Sequence, residues 1–155
     1  MLFEKINFIQ TMRKIAESVI VVPIDMSEFS LKACSVAADI AANRDLLRFI
    51  HVLPVLESTE PGVIWASVDD GGRLEHAKEV LRDFLAEHEF ENPSVEIRLG
   101  DPGTEIAVYA EEIGAGLIVI PSHGRGILQR MLLGSTTDRV VHFAHCPVLV
   151  LKNKK

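Results

Sequence analysis

Glycine and hydroxyl residues are concentrated in two short segments between residues 122 and 136. The first follows an apolar run, and the second comes just before a run with helical periodicity. Glycine lets backbone approach phosphate oxygens closely, the amides at a helix start point outward, and hydroxyls donate hydrogen bonds. The pattern predicts an anion site, unless the glycines only make turns and Ser135 is an ordinary helix N-cap. The candidate residues are Ser122, His123, Gly124, Arg125, Gly126, Gly134, Ser135 and Thr136.

Apolar segments typical of strands alternate with segments typical of helices along the chain, and this order predicts the elements that position the candidate loop. The alternation predicts one α/β domain with a five-stranded parallel sheet, right-handed crossovers and helices on both faces. Continuous apolar runs fit strands that are buried on both faces. The predicted strands are residues 18–24, 46–52, 95–99, 117–120 and 146–151.

Asp25 follows the first predicted strand, and Val52 ends the second. In open α/β sheets, ligands bind beyond the carboxyl ends of the strands, where the strand order reverses. If the first strand is central, Asp25, Val52 and the candidate loop converge at one edge of the sheet. Ser27 and Ser30 predict the start of the next helix. Asp25 therefore either caps that helix or meets a ligand hydroxyl.

Residues 1–17 precede the first predicted strand and form an N-terminal extension to a domain over residues 18–155. The extension is either an amphipathic helix that docks on the domain or on a partner, or a frayed segment before a later start codon. Apolar residues fall near helical spacing in this extension, with charged residues between them. They are Leu2, Ile6, Ile9 and Met12.

The composition of this 155-residue chain fits one globular domain, because 48% of its residues are hydrophobic and 25% are charged. The formal net charge of -6 argues against nucleic acid as the main partner. Cys34 and Cys146 are predicted to be small buried residues of a reducing compartment, not a disulfide. No apolar run approaches a membrane span and no signal peptide is recognisable. We therefore expect a cytoplasmic protein without a membrane contact.

Six short motifs occur in an order that resembles the universal stress protein family over residues 19–152. The resemblance implies a three-layer α/β/α fold of the nucleotide alpha-hydrolase-like type, with the expected strand order 3-2-1-4-5. It also implies a homodimer through the C-terminal strand, residues 147–151. The motifs are VVPIDMS at 21–27, IHV at 50–52, GDP at 100–102, SHGRG at 122–126, LLGST at 132–136 and CPVLV at 146–150.

The resemblance further implies ATP or another adenine nucleotide as the ligand, with or without Mg²⁺ on its phosphates. Asp25 is implied near the ribose or adenine, and Val52 beside the adenine. Ser122 and His123 belong to the same binding loop. The residues implied to hold the phosphates are Gly124, Arg125, Gly126, Gly134, Ser135 and Thr136.

Pro121 departs from the nucleotide-binding branch of that family. Nine residues separate Gly124 from Gly134, as in that branch, but Pro121 replaces the first glycine of its motif. Proline fixes φ and has no N–H to offer. It therefore either blocks the ribose, or shifts the ribose while the phosphate amides survive.

The sequence offers no convincing catalytic centre. His123 lies in the loop without a companion carboxylate at recognisable spacing, so a turn-stabilising role competes with acid–base work. The first functional hypothesis is an ATP-binding regulatory protein of the stress response, whose bound state is read by an unidentified protein partner. The alternatives are a dimeric interaction module of the same fold that binds no nucleotide, marked by Pro121, and a weak ATPase.

Overall fold

The computed structural model of the protein describes residues 2–55, 70–122 and 133–152. Helices and strands alternate along these residues, and the strand boundaries differ from the predicted ones by at most two residues. The helices are α1 Leu2–Ala16, α2 Glu28–Ile40, α3 Asp70–Ala86, α4 Pro102–Glu112 and α5 Ser135–Phe143. The strands are β1 Ile20–Pro23, β2 Leu47–Leu53, β3 Val95–Leu99, β4 Leu117–Pro121 and β5 Val148–Leu151.

All five strands pair in parallel, in the order β3-β2-β1-β4-β5. β1 is central, because Ile20 is in register with Leu47 of β2 on one side and with Leu117 of β4 on the other. Helices cover both faces of this sheet. The predicted three-layer α/β/α fold and its strand order are confirmed.

Side chains of a strand alternate between the two faces of a sheet, so two separate cores form. On the face covered by α2 and α3, Ile20 and Val22 pack with Cys34, Leu81 and Leu85, and all five residues are 0% exposed. This apolar environment raises the pKa of the Cys34 thiol to about 12, because desolvation disfavours the thiolate. The sequence prediction of burial is confirmed for Cys34, whereas Cys146 is only half-buried.

The face covered by α4 and α5 has a core of its own. Val21, Ile118 and Ala110 are buried there together with Val140 of α5. Gly103 lets the two helices approach, since an added Cβ would come within 2.4 Å of the Arg139 Cβ. The first turn of α4 therefore lies directly against the second turn of α5.

Helix α1 is attached to the domain by its C-terminal end. Ile15 packs against the core under α2 and α3, and the Ala42 amide donates to the Ala16 carbonyl oxygen at 2.8 Å. Phe8 and Ile9, in contrast, are each 64% exposed. The extension is helical, while its status as a unit apart from the domain stays a prediction. None of the helices within the described ranges has the length and apolar character needed to cross a membrane.

Candidate functional site

A cleft of about 170 Å³ opens at the carboxyl ends of β1, β2 and β4. β1 pairs with β2 as far as Pro23↔Ile50, but with β4 only as far as Val21↔Ile118. β1 and β4 therefore part before they end, and the cleft lies at this gap, the switch point of the sheet. Its described lining is Pro23, Ile24, Asp25, Ile50, His51, Val52, Pro102, Ile106, Ile120, Pro121, Thr136 and Thr137.

Helix α5 begins beside the cleft. Gly134 is its N-cap residue, and in the part of the chain that the structure describes no side chain caps this helix. Its first backbone amides are therefore left to solvent, loop or ligand. Thr136 lines the cleft, whereas Ser135 is exposed. The interpretation of Ser135 as the N-cap is wrong, because the extended backbone of Gly134 starts the helix one residue earlier than a Ser135 cap requires.

Three backbone-directed hydrogen bonds hold the start of α5 against the sheet. The hydroxyl of Thr137, which is 3% exposed, donates to the Pro121 carbonyl oxygen at 2.8 Å. The Gly134 amide donates to the Ser122 carbonyl oxygen, and the Ser122 amide to that of Leu151, each at 2.8 Å. The position of these helix amides is thus set by protein contacts alone.

Helix α4 also begins at the cleft. Asp101 is its N-cap, and Pro102 lines the cleft. Partial burial pushes the pKa of the Asp101 carboxyl upward, but hydrogen bonds from the Thr104 amide and from Arg139 outweigh it and hold the pKa below its ordinary value. Two helix N-termini therefore adjoin the same cleft. The Asp101 carboxylate caps the start of α4, whereas the start of α5 has no side-chain cap and favours an anionic ligand.

Asp25 lies at the β1 side of the cleft and supports the start of α2. Its Oδ1 accepts hydrogen bonds from the Ser27 hydroxyl and from the Ser27 amide, the latter at 3.1 Å. Ser27 is the N-cap of α2, and its Oγ accepts from the Ser30 amide at 3.3 Å. Beside it, Nδ1 of His51 lies 2.6 Å from the Ile24 carbonyl oxygen. Asp25 thus takes part in the helix start and lines the cleft, while its contact with a ligand hydroxyl stays a prediction.

Pro121 is buried at the end of β4. The amides of Ile118 and Ser122 donate to carbonyl oxygens of Pro147 and Leu151 on the β5 side, at 3.0 and 2.8 Å. Successive backbone amides of a strand point in turn to its two neighbouring strands. An amide at position 121 would therefore point toward β1. The β1–β4 pairing has already ended at this level. Proline therefore removes no ladder bond here, but it removes a donor that would face the cleft.

The structure brings Asp25, Val52 and Thr136, three of the predicted site residues, into one cleft lining. Gly134 and Ser135 adjoin it at the start of α5. Ser122 is 3% exposed and bonds through its backbone. The remaining predicted residues, His123, Gly124, Arg125 and Gly126, lie outside the described residues.

Sequence reasoning missed Thr137, Pro102 and Ile106 as lining residues. Thr137 extends the hydroxyl pair that was predicted, so its position was a usable signal. Pro102 belongs to the GDP motif at a helix start. The helical spacing of Ile106 shows only that it lies on the inward face of its helix. Residues of the core and of the cleft share that spacing, so periodicity could not distinguish Ile106 as a cleft residue.

The sequence profile of the universal stress protein family matches residues 18–152. Universal stress protein MJ0531 of Methanocaldococcus jannaschii is 35% identical over 142 residues, covering 88% of this chain and 82% of that protein. The solved structure of MJ0577 from the same organism has a TM-score of 0.72 at 28% identity, covering 90% of this chain and 99% of that chain. A universal stress protein solved in complex with cAMP has a TM-score of 0.60 over 88% of this chain and 97% of that chain; at 22% identity this shows the fold alone. The chain therefore belongs to the universal stress protein family.

Proposed function

We propose that this protein binds an adenine nucleotide, with ATP as the first candidate, and acts as a nucleotide-dependent regulatory protein of the stress response. The observation that carries the proposal is the cleft at the switch point, where Asp25, Val52 and Thr136 come together from separate elements. The N-terminus of α5, which has no side-chain cap, gives that cleft a positive end. Family membership supports the stress-response part of the proposal.

The apolar part of the cleft suits a purine ring. Val52, Ile106 and Ile120 line it, and apolar walls with a few polar groups are typical of cofactor sites. The volume of about 170 Å³ is below the roughly 300–1,000 Å³ of pockets that enclose whole drug-sized ligands. In this proposal the base and ribose occupy the cleft, and the phosphates lie outside it, at the start of α5. Mg²⁺ would enter as the counter-ion of those phosphates.

The first test is a denaturing extraction of freshly purified protein, analysed for adenine nucleotides. Calorimetric titration with ATP, AMP and cAMP, with and without Mg²⁺, then measures affinity. Thr136→Val keeps the side-chain volume and removes the hydroxyl. We expect it to weaken ATP binding by about ten- to a hundredfold, the equivalent of roughly 1.5–3 kcal/mol for a hydrogen bond to a charged group.

The matched control is Thr11→Val, which removes a hydroxyl that bonds the Asn7 carbonyl oxygen on exposed α1. It should bind ATP like the parent protein. Equal affinity of the parent and Thr136→Val for ATP would contradict the phosphate position proposed here.

A second candidate function is a dimeric interaction module that binds no nucleotide, and Pro121 is the observation that favours it. Its ring stands at the carboxyl end of β4, and the donor it removes would face the cleft. This function predicts no extracted nucleotide and no calorimetric signal with any of the three probes. It is ruled out if the parent protein binds ATP stoichiometrically.

Both functions include a homodimer through β5, the edge strand next to β4. Its four apolar residues are only half-buried. The Leu151 carbonyl oxygen accepts from the Ser122 amide at the end of β4. Because successive residues of a strand bond to opposite sides, the amide of Val150 points to the edge of β5 away from β4. Val150→Pro should therefore shift the protein toward monomer in light scattering, while Leu149→Pro should damage the β4 pairing and the fold itself. A monomeric parent at micromolar concentration would contradict the dimer. The cytoplasmic location stays a prediction.

A further inference from the structure

One ion pair ties the two helix starts at the cleft to each other. Asp101 Oδ2 accepts from Arg139 Nη1 at 2.8 Å, while Asp101 Oδ1 accepts from the amide and the hydroxyl of Thr104 at 3.0 and 2.9 Å. One carboxylate therefore caps α4 with one oxygen and holds the second turn of α5 with the other. Both side chains are about half exposed, at 42% for Asp101 and 53% for Arg139.

The packing below this pair leaves little freedom. Gly103 follows the cap directly, and a Cβ there would meet the Arg139 Cβ at 2.4 Å. The helices are thus in backbone-level contact one turn from the cleft. Pro102 and Thr136, on either side of this contact, both line the cleft. The distance between them depends on how α4 and α5 are held together.

We propose that Asp101 and Arg139 are positioning residues for the nucleotide site: their ion pair sets the separation of the α4 and α5 N-termini that flank the cleft. The inference rests on the proposed nucleotide binding. Neither side chain lines the cleft, so in this proposal the pair acts through the first turn of α5. Its contribution is the alignment of the Thr136 and Thr137 amides toward an anion.

Asp101→Asn is the diagnostic variant, because two explanations predict effects of opposite sign. The asparagine oxygen still caps α4, but the charge that holds Arg139 is gone. If Asp101 acted only by its charge, its removal beside an anion site would tighten ATP binding. If it positions α5, its removal should weaken ATP binding by about two- to fivefold, the range expected for an exposed ion pair.

Salt separates these effects further. Raising the salt to about 0.3 M shortens the Debye length and screens the long-range charge effect of the substitution. A weakening due to misplaced helix starts should persist there. Arg139→Lys should retain most of the affinity because the ammonium can still pair with Asp101, whereas Arg139→Gln should lose as much as Asp101→Asn.

The matched control is Glu112→Gln, which breaks the exposed pair with Arg98 at the other end of α4. It should leave ATP affinity unchanged. Calorimetric titration with ATP and Mg²⁺ gives the affinities. Amide hydrogen exchange of Gly134 and Asp138 without ligand reports how firmly the start of α5 is held, because these amides donate to the Ser122 and Gly134 carbonyl oxygens. Faster exchange in Asp101→Asn together with weaker ATP binding supports the proposal. The proposal is overturned if exchange in Asp101→Asn equals that of the parent protein. It is also overturned if the variant binds ATP at high salt as tightly as the parent or more tightly. A parent protein that binds no ATP refutes the proposed function. The exchange data then test only whether the ion pair holds the start of α5.

Discussion

The two faces of the sheet are built differently. Under α2 and α3, large side chains such as Phe49, Leu81 and Leu85 are almost completely buried. Under α4 and α5, the buried residues of the described core include no phenylalanine or leucine, and Ile50, Ile106 and Ile120 of that core line the cleft. That layer is held by polar contacts as well, including the Thr137 hydroxyl on the Pro121 carbonyl oxygen and the Asp101–Arg139 ion pair.

The difference teaches how one small domain separates stability from ligand binding. Buried phenylalanine and leucine side chains contribute much hydrophobic stabilisation, and in the described core they pack on the face under α2 and α3. On the other face, Gly103 allows two helix starts to converge, and directional polar contacts then fix their positions. Changes on the first face should therefore alter stability, and changes on the second should alter both stability and binding.

The largest expected effect is on the face under α2 and α3. Leu81→Ala leaves a cavity at a site with 0% exposure and should lower the free energy of unfolding by about 2–5 kcal/mol. Urea unfolding measures this change. ATP affinity of the folded variant should equal that of the parent. Val80→Ala, at a neighbouring position that is 38% exposed, is the control and should change stability by less than about 0.5 kcal/mol. A large loss of ATP affinity in Leu81→Ala would break the proposed separation of the two faces.

The next effect is on the opposite face, at the contact between α4 and α5. Gly103→Ala places a Cβ within 2.4 Å of the Arg139 Cβ, so the helices must move apart. We expect a destabilisation of about 1–3 kcal/mol, as for overpacked cores, and weaker ATP binding. Adding Arg139→Gly removes the atom that clashes, so the double variant should be more stable than the sum of the two single changes. Strict additivity in urea unfolding would show that the contact is not the cause.

A smaller effect is expected at Pro121. Pro121→Gly restores a donor that faces the cleft and removes the ring, and should tighten ATP binding by about fivefold, or roughly 1 kcal/mol. Pro147→Gly is a matched control, since Pro147 precedes β5 at the other end of the sheet. Both variants should lose up to about 1 kcal/mol of stability through the more flexible unfolded chain. If calorimetry finds the same ATP affinity in the parent and in both variants, Pro121 does not influence ATP binding.

Local patterns predicted the fold well, and the site only in part. The strand at 117–120 followed from its apolar run, whereas the capping rule at Ser135 placed the N-cap of α5 one residue too late. The Asp101–Arg139 pair depends on how α4 packs against α5, and no periodicity encodes that contact. Pro121 could be identified as a departure from the sequence alone. The direction of its missing donor required the register of β4 against both neighbours.

The smallest expected effect is that acid loosens α4 before the C-terminal half of α2, which lies away from the Asp25 carboxylate at the start of that helix. A hydrogen bond from Arg98 holds the pKa of Glu112, at the end of α4, below its ordinary 4.5. At the other end, burial raises the pKa of Asp101, but the hydrogen bonds from Thr104 and Arg139 outweigh it and keep the pKa below 3.8. Because these folded-state values lie below the unfolded ones, the stabilisation is present at neutral pH and is lost as the pH falls through them.

Both pairs are exposed, so the loss should be small and confined to the helix they hold. Amide protection factors of α4 and of the C-terminal half of α2, compared at about pH 6 and about pH 3, measure it. We expect a greater loss of protection in α4. In Glu112→Gln, which has no carboxylate to titrate at that position, the difference should shrink at the C-terminal end of α4 and persist at its start. An equal loss in both helices would mean that acid unfolds the domain as a whole, and that the two faces do not differ in the way their charges stabilise them.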